Sequence, residues 1–351
     1  MWFYYSIFCF ILLFHFYFRD KKISNQIRFI ICILLIVIAA FRPPGIDRDY
    51  FNYKALFENP YMTGGSAIEF SFVLISNVIK IISSNFILLL LVYAFLGIGL
   101  KYVAIKKLNE YWVLSFLIYF GYFYICYDMT QMREGVAMAI FLLSIPDIQE
   151  RKSKPYFIKF IIAFLFHYSA IIMLPVFFVI RPDKKSFLPY ICLLLFSIVS
   201  VSYLLNIANL STLIQYIPIK GIRTKFELYM NLRERGIFEK IKIFTIARIM
   251  RLLLLVVMVV FIRTIEHRNH YARTLIQIYI IAQSVFFLLS SLPPVFSYRL
   301  SDFLAIVEII IFTFVAYIIK PRIVGEIAVV CIAVIFILYN LLIHQYIQPY
   351  F

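Results

Sequence analysis

The feature that most constrains this chain is a succession of long apolar runs that occupies nearly its whole length. Of the 351 residues, 64% are apolar or aromatic and 15% are charged, whereas soluble domains are about half apolar and a quarter charged. No water-soluble fold of this size could bury so much apolar surface, so lipid must be the solvent for most of the chain. The sequence therefore predicts an integral membrane protein and excludes a soluble globular domain.

The positions of the apolar runs predict the architecture. Runs long enough to cross or nearly cross a bilayer lie at about 2–18, 27–41, 67–83, 85–103, 112–127, 133–146, 156–180, 187–206, 244–262, 274–292, 300–319 and 323–343. Because a helix satisfies its own backbone hydrogen bonds in lipid, these runs predict an all-α bundle of about 10–12 segments. We expect a single integral membrane domain over residues 1–351, with 207–243 as an extracytoplasmic loop.

The basic charge indicates an orientation. Lys and Arg number 34 against 18 Asp and Glu, which gives a formal net charge of +16. Short cytoplasmic loops carry an excess of Lys and Arg, and no basic stripe with interleaved aromatics favours a nucleic acid partner. Six basic linkers are therefore expected together on the cytoplasmic side: 19–28, 101–111, 147–155, 181–186, 263–273 and 320–322.

Placing all six linkers on one side requires that two apolar runs do not cross. If every run crossed once, linkers 101–111 and 147–155 would lie outside. The run 67–83 contains charged residues and is expected to lie at the interface or to re-enter. The run 156–180 is interrupted near its middle and is expected to form two half-helices that enter and return. The opposite face then collects 42–66, 127–134, 207–243 and 293–299, with His167 at the apex of the broken run beneath them.

A first polar cluster follows the second apolar run. The Pro-Pro-Gly sequence at 43–45 ends the preceding helix and allows a turn. It leaves Arg42 at a membrane boundary and is followed by Asp47, Asp49 and Tyr50. The pattern fits a helix stop with an Asp cap, or an anion-binding arginine beside a carboxylate that accepts a proton or orients a hydroxyl group.

A second cluster lies between two short apolar runs and contains Asp128, Gln131, Arg133 and Glu134. Charges at membrane depth are costly, so these side chains should face a polar cavity or pair with one another. Two alternatives follow. Asp128 and Arg133 form an ion pair, or Arg133 binds an anion near the start of a helix. The interrupted run adds His167, which is a candidate general base, with a hydrogen-bonded packing role as the alternative.

Two further pairs of charged residues lie one helical turn apart. Arg299 and Asp302 are expected on one helix face, where they can pair, and Arg248 and Arg251 enter another apolar run, where they snorkel or contact phosphate. The sequence has no metal-binding motif or phosphate-binding loop, and its five cysteines stand singly, so neither metal nor cofactor is expected. Arginines would then neutralise an anionic substrate, because their planar forks match phosphate oxygens.

Four segments together resemble the EpsG-type branch of the Wzy polysaccharide polymerases. They read FRPPGIDRDYFNYKALFENP, QMREGVAMAIFLLSI, FLFHYSAIIMLP and YRLSDFL. The resemblance spans roughly residues 40–180 with the motifs in order, plus the region of Arg299, whereas 200–290 matches only as a loop followed by spans. One departure is Glu134, which follows Arg133 where the family often has Gln.

The resemblance implies a multi-pass glycosyltransferase of the bacterial plasma membrane. Such an enzyme joins undecaprenyl-diphosphate-linked repeat units at the outer face, for exopolysaccharide, capsule or O-antigen, with a chain-length regulator as a candidate protein partner. We expect Arg133, Arg299 and Arg42 to bind the diphosphate as it leaves, and His167 to act as base in an inverting displacement, with Asp47 or Asp49 competing. The remaining candidate substrate-binding residues are Tyr50, Asp128, Gln131, Arg248, Arg251 and Asp302.

Two other classes of membrane protein fit part of the pattern. A flippase of lipid-linked sugars would share a basic cavity, but it should show repeat symmetry between its halves, which the sequence lacks. A membrane acyltransferase would use a histidine with a carboxylate, but it gives no reason for arginines on the outer side.

Overall fold

The chain folds as an all-helical bundle, which confirms the predicted fold class: 83% of the residues that the structure describes are helical. The computed structural model describes residues 2–17, 25–59, 68–183, 186–204, 223, 227–228, 230–232, 243–290, 292–344 and 347. No strand occurs among these residues. The loop expected at 207–243 lies largely outside them, so the structure does not test it.

Most helices within the described ranges are joined by short connections. In chain order they are α1 Trp2–Tyr17, α2 Asn25–Ala40, α3 Tyr50–Glu58, α4 Phe70–Ile82, α5 Phe86–Leu108, α6 Trp112–Tyr119, which continues as a π-helix over Phe120–Thr130, α7 Met132–Gln149, α8 Ser153–Phe166, a 3₁₀ turn Tyr168–Ile172, α9 Met173–Val179, α10 Leu188–Leu204, α11 Ile246–Val260, α12 Ile262–Glu266, α13 Ala272–Leu288, α14 Pro294–Ala305, α15 Glu308–Ile311, a 3₁₀ turn Phe312–Phe314, α16 Val315–Ile318, and α17 Arg322–Leu338, which continues as a π-helix over Tyr339–His344.

Several of these helices are long and apolar enough to cross a membrane. Among the described residues these are Phe86–Leu108, Trp112–Thr130 and Arg322–Ile343. The pair Pro294–Ala305 and Glu308–Ile318, bent by 46° at a short break, makes a fourth candidate span, and six shorter apolar helices accompany them. The chain is therefore a multi-pass membrane protein.

The helix formed by α6 and its π-helical continuation is the axis of the bundle, because it is buried along its whole length. Gly121 lets it approach α17 closely, since a Cβ at this position would lie 2.9 Å from the Ala333 carbonyl oxygen. Insertions of this π type widen a helix locally and are frequent at functional sites. Here the π-helix ends directly before α7, where the second polar cluster begins.

Three of the basic linkers meet in one cavity of about 330 Å³. Tyr111 contributes from the linker before α6, Arg268 from the linker before α13, and Lys320 and Arg322 from the linker before α17. The linkers 101–111, 263–273 and 320–322 therefore lie at the same end of the bundle.

The other three basic linkers are joined to the same end. The Arg28 guanidinium lies 5.8 Å from the ring centroid of Trp112, at the start of α6. The amide of Gln277, in the second turn of α13, donates to the Arg181 carbonyl at 3.1 Å, and the hydroxyl of Thr274 donates to the side chain of Gln149. The predicted grouping of the six linkers is confirmed, and we call this the basic end.

The run 156–180 forms the predicted hairpin. Its helix breaks at His167, which has extended backbone angles, and α8 packs beside α9. The hydroxyl of Tyr156 donates to the Met173 carbonyl at 2.6 Å, and the guanidinium of Arg151 donates to the Phe177 carbonyl at 2.6 Å. Both arms therefore end at the basic end, and His167 lies at the apex.

The run 67–83 does not carry the chain across the bundle, as predicted. Its helix α4 lies beside α3, because Phe72 packs against Tyr53 with 5.9 Å between ring centroids and the Lys80 ammonium donates to the Glu58 carbonyl at 3.1 Å. Phe86, which begins α5, also packs against α3. Since α5 ends at the basic end, α3 and α4 both lie at the opposite end.

Cysteine labelling tests this arrangement. With the exposed Cys9, Cys192 and Cys331 replaced by serine, single cysteines at the exposed positions of Lys107, Lys152 and Arg268 should react with an impermeant maleimide from one face of sealed vesicles. A cysteine at the exposed position of Asn52, in α3, should react only from the other face. Reaction of the Asn52→Cys and Lys107→Cys variants from the same face would contradict the fold.

Candidate functional site

Two cavities adjoin at the end opposite the basic linkers. The first cavity, of about 160 Å³, is lined by Asp49, Arg133, Glu134 and His167 among others. The second cavity, of about 190 Å³, is lined by Arg248, Arg251, Tyr298 and Asp302 among others. Gln131 and Arg299 line both cavities. The structure thus brings together eight of the twelve predicted site residues: Asp49, Gln131, Arg133, His167, Arg248, Arg251, Arg299 and Asp302.

Breaks and ends of helices supply the side chains of the first cavity. Asp49 precedes α3, Gln131 separates the π-helix from α7, and Arg133 belongs to the first turn of α7. His167 lies at the hairpin apex, and Arg299 comes from α14, which begins with a proline in its first turn. The interruptions that made these runs poor membrane spans are therefore what places polar groups inside the bundle.

Arg133 forms an ion pair with Glu69, which is completely buried. The guanidinium of Arg133 also lies 5.2 Å from the ring centroid of Tyr53 and 5.4 Å from that of Phe72. Of the two alternatives predicted for Arg133, the ion pair with Asp128 is therefore wrong. Sequence reasoning used Glu69 only as evidence about topology, although a carboxylate at the start of a short apolar run was the available signal.

The imidazole of His167 lies between two buried carboxylates. Its Nδ1 accepts a hydrogen bond from the Ser169 backbone N–H at 3.2 Å and lies 3.9 Å from Oε1 of Glu134. Its Nε2 lies 3.9 Å from Oε1 of Glu69. Because Nδ1 accepts from an N–H group, the neutral ring carries its proton on Nε2, which faces Glu69.

In the second cavity, Arg251 and Asp302 belong to one network. Nε of Arg251 lies 3.1 Å from Oε1 of Glu308, and its NH1 lies 3.6 Å from Oδ1 of Asp302. The other oxygen of Asp302 accepts hydrogen bonds from the hydroxyls of Tyr122 at 2.8 Å and Tyr127 at 3.1 Å. The charge of Arg251 is therefore balanced, and Glu308 is a functional candidate that the sequence analysis did not identify.

Arg248 lies in the same cavity and has a different environment. It is 4% exposed, its NH1 donates to Oε1 of Gln283 at 2.7 Å, and its guanidinium lies 3.5 Å from the ring centroid of Phe286. Within the described part of the chain, no carboxylate lies at ion-pair distance from Arg248. A buried cation with only a neutral hydrogen-bond partner is costly, so this position favours an anionic ligand.

The comparison with known families decides the chain's membership. The model of the EpsG family matches residues 25–351, essentially the whole chain. The chain belongs to the EpsG family. This is the family of EpsG-type polysaccharide polymerases, and the match includes residues 200–290, for which the motifs gave little support. No curated protein and no solved structure matches the chain.

Three of the predicted site residues of this EpsG-family protein lie away from both cavities. Nε of Arg42 donates to Oδ2 of Asp47 at 2.6 Å, and its NH1 donates to the Ala39 carbonyl at 2.6 Å. Burial raises the pKa of Asp47, and the neighbouring Arg42 opposes that increase. Tyr50 packs against Phe86 with 5.3 Å between ring centroids. These residues close the end of α2 over α3 and α5.

Asp128 also belongs to the internal framework of the EpsG-family bundle. The ammonium of Lys101 donates to both of its carboxylate oxygens, at 2.7 and 2.8 Å, and to the Gly135 carbonyl at 2.8 Å. The hydroxyl of Tyr119 donates to it at 2.6 Å. Lys101 was assigned to a basic linker, but it is completely buried within α5. This pair joins the π-helix to α5 and α7 and so positions the start of α7. A Cβ at Gly97 would collide with Asp128, which explains the glycine there.

Removing the cation from this pair should destabilise the EpsG-family fold. Lys101→Met leaves Asp128 as a buried unpaired charge, so the free energy of unfolding in mixed detergent micelles should fall by about 3–5 kcal/mol. Adding Asp128→Asn to Lys101→Met should recover part of the loss. Lys106→Met, at an exposed position on the same helix, is the matched control and should change little. A Lys101→Met protein as stable as the wild type would contradict a structural role for the pair.

Proposed function

We propose that this protein is a polysaccharide polymerase that transfers glycan from one polyprenyl-diphosphate carrier to a repeat unit on another. The observation that carries the proposal is the buried Arg248, which lines the second cavity and has no described carboxylate at ion-pair distance. In glycosyl transfer from such a donor, negative charge develops on the departing diphosphate oxygen. A preorganised guanidinium stabilises this charge most strongly in a site with little water. Its planar fork can donate two parallel hydrogen bonds to phosphate oxygens.

The second cavity suits the donor. Its wall includes Phe286, Tyr298 and Phe336, which offer apolar and aromatic surface to the first prenyl units and to the sugar next to the diphosphate. Arg248 supplies a cation that forms no ion pair with the described carboxylates, and Arg299 lies at the boundary with the first cavity. Arg251 is held by Glu308 and Asp302 and orders this wall.

The first cavity suits the acceptor, because it holds carboxylates and an imidazole next to the place where the diphosphate would lie. Gln131 and Arg299 line both cavities, so the acceptor hydroxyl and the anomeric carbon of the donor would meet beside them. A direct displacement with inversion follows from this arrangement, since one group need only take a proton from the acceptor. With the basic end in the cytoplasm by the positive-inside rule, both cavities open toward the outer face of a bacterial plasma membrane.

A gene deletion tests the proposed function directly. In a strain that lacks this gene, surface glycan separated on a gel should be reduced to a single capped repeat unit, and a plasmid copy of the gene should restore the polymer. Loss of all glycan would indicate a flippase, and an unchanged ladder would indicate an acyltransferase or another activity. Either result would overturn the proposal.

Substitution of Arg248 tests the diphosphate site separately. Arg248→Gln should weaken binding of undecaprenyl diphosphate to the purified protein by roughly 10- to 100-fold, because charged hydrogen bonds contribute about 1.5–3 kcal/mol. Arg248→Lys should give an intermediate loss, since it keeps the charge without the planar fork. Arg268→Gln, at an exposed position of the basic end, is the control. Wild-type affinity in Arg248→Gln would refute the assignment.

A further inference from the structure

Glu134 is a buried carboxylate that the framework of the protein does not use. It lies in the first turn of α7, lines the first cavity and is completely buried. Neither of its carboxylate oxygens has a hydrogen-bond partner within the described residues, and the ion-pair neighbour is His167, 3.9 Å away. The side chain of Ser169 and the cation of Arg299 lie near it. A buried polar group in this condition requires an explanation, and a catalytic role is one of the few available.

The other carboxylates near the two cavities are engaged. Glu69 binds Arg133, Glu308 binds Arg251, and Asp302 accepts from two tyrosine hydroxyls. Asp49 lines the first cavity but is only half-buried, so water competes for its oxygens. Both oxygens of Glu308 also lack a hydrogen-bond partner within the described residues, but Glu308 is paired with Arg251 and lines neither cavity. Glu134 combines two buried acceptor atoms of this kind with a place in the cavity wall.

The environment of His167 argues against its acting as the base. Its Nδ1 lone pair accepts the Ser169 N–H at 3.2 Å, and its Nε2 carries the proton of the neutral ring. To accept a proton from a substrate, the ring would have to break the first contact or change its tautomer. The imidazole instead fills the space between Glu69 and Glu134, with its Nε2 proton toward Glu69 and the ring beside the Glu134 carboxylate.

We infer that Glu134 is the catalytic base of the transfer and that His167 is a positioning residue, an assignment that rests on the function proposed above. The acceptor hydroxyl gives its proton to a carboxylate oxygen of Glu134, and its oxygen forms a bond to the anomeric carbon of the donor. The bond between that carbon and the diphosphate oxygen breaks, and its electron pair leaves on the lipid diphosphate beside Arg248. The proton then passes from Glu134 to water. The products are the extended glycan, with inverted configuration at the new bond, and a free polyprenyl diphosphate.

The test compares two buried glutamates in the deletion strain. Glu134→Gln keeps the shape of the side chain and removes its basicity, so polymer should fall by about 100-fold or more at equal protein level. The matched control is Glu326→Gln, because Glu326 is also completely buried near the start of a helix and contacts a histidine and an arginine, but at the basic end. It should restore polymer as the wild-type gene does.

Undecaprenyl diphosphate binding shows whether the inactive variant is folded. Purified Glu134→Gln should bind this lipid as tightly as the wild type, because the second cavity is unchanged. In membranes, added sodium formate should restore part of the polymerisation by Glu134→Ala, since formate can place a carboxylate in the vacated space. A structural role for Glu134 predicts no such rescue, and absence of rescue in a variant that binds the lipid normally would overturn the assignment.

Variants of His167 separate the two roles. His167→Gln keeps a donor toward Glu69 and should retain much more activity than His167→Ala, whereas a catalytic His167 would make both variants equally inactive. Full polymer from Glu134→Gln, in a strain that the wild-type gene complements, would refute the base and leave the proposed function intact. If the wild-type gene did not control polymer at all, the function and this inference would fail together.

Discussion

A charge inside a bilayer must find a partner, and this requirement organises the interior of the protein. Within the described bundle, this holds for four cations that are paired with buried carboxylates. One of these pairs closes the turn between α2 and α3, and the other three join segments that are distant in the sequence. The pairs are Arg42 with Asp47, Lys101 with Asp128, Arg133 with Glu69, and Arg251 with Glu308. Such pairs contribute little net stability but are expensive to break, so they fix one arrangement of the helices. The proposed site contains Arg248 and Glu134, which form no such cation–carboxylate pair within the described residues.

The same requirement explains why the helices near the site are short or broken. Glu134, His167 and Arg299 come from three different segments. If these segments were unbroken apolar spans, no helix ends would meet inside the bundle, and there would be no polar cavity. The hairpin of α8 and α9 brings His167 inward, and Glu69, directly before α4, pairs with Arg133. The breaks therefore place polar side chains together at one end of the bundle.

The topology could be predicted from the sequence because it depends on hydropathy and basic charge, which are properties of consecutive residues. The interruption at His167 and the Lys and Arg residues of the linkers were sufficient to predict the hairpin and the shared basic end. Partner choice could not be predicted, since it depends on which helices become neighbours: Arg133 lies 64 residues from Glu69, and Lys101 lies 27 residues from Asp128. The special position of Arg248 is also a property of packing, because it follows from the neighbours Gln283 and Phe286.

A structure of the protein in lipid nanodiscs with undecaprenyl diphosphate bound would test the central claim most directly. The account predicts that the two phosphates lie in the second cavity, with oxygens within hydrogen-bond distance of the Arg248 and Arg299 guanidiniums and the prenyl chain beside Phe286. Phosphates bound instead at the basic end, among Arg268, Lys320 and Arg322, would contradict it. That result would show that Arg248 does not bind the diphosphate of the donor.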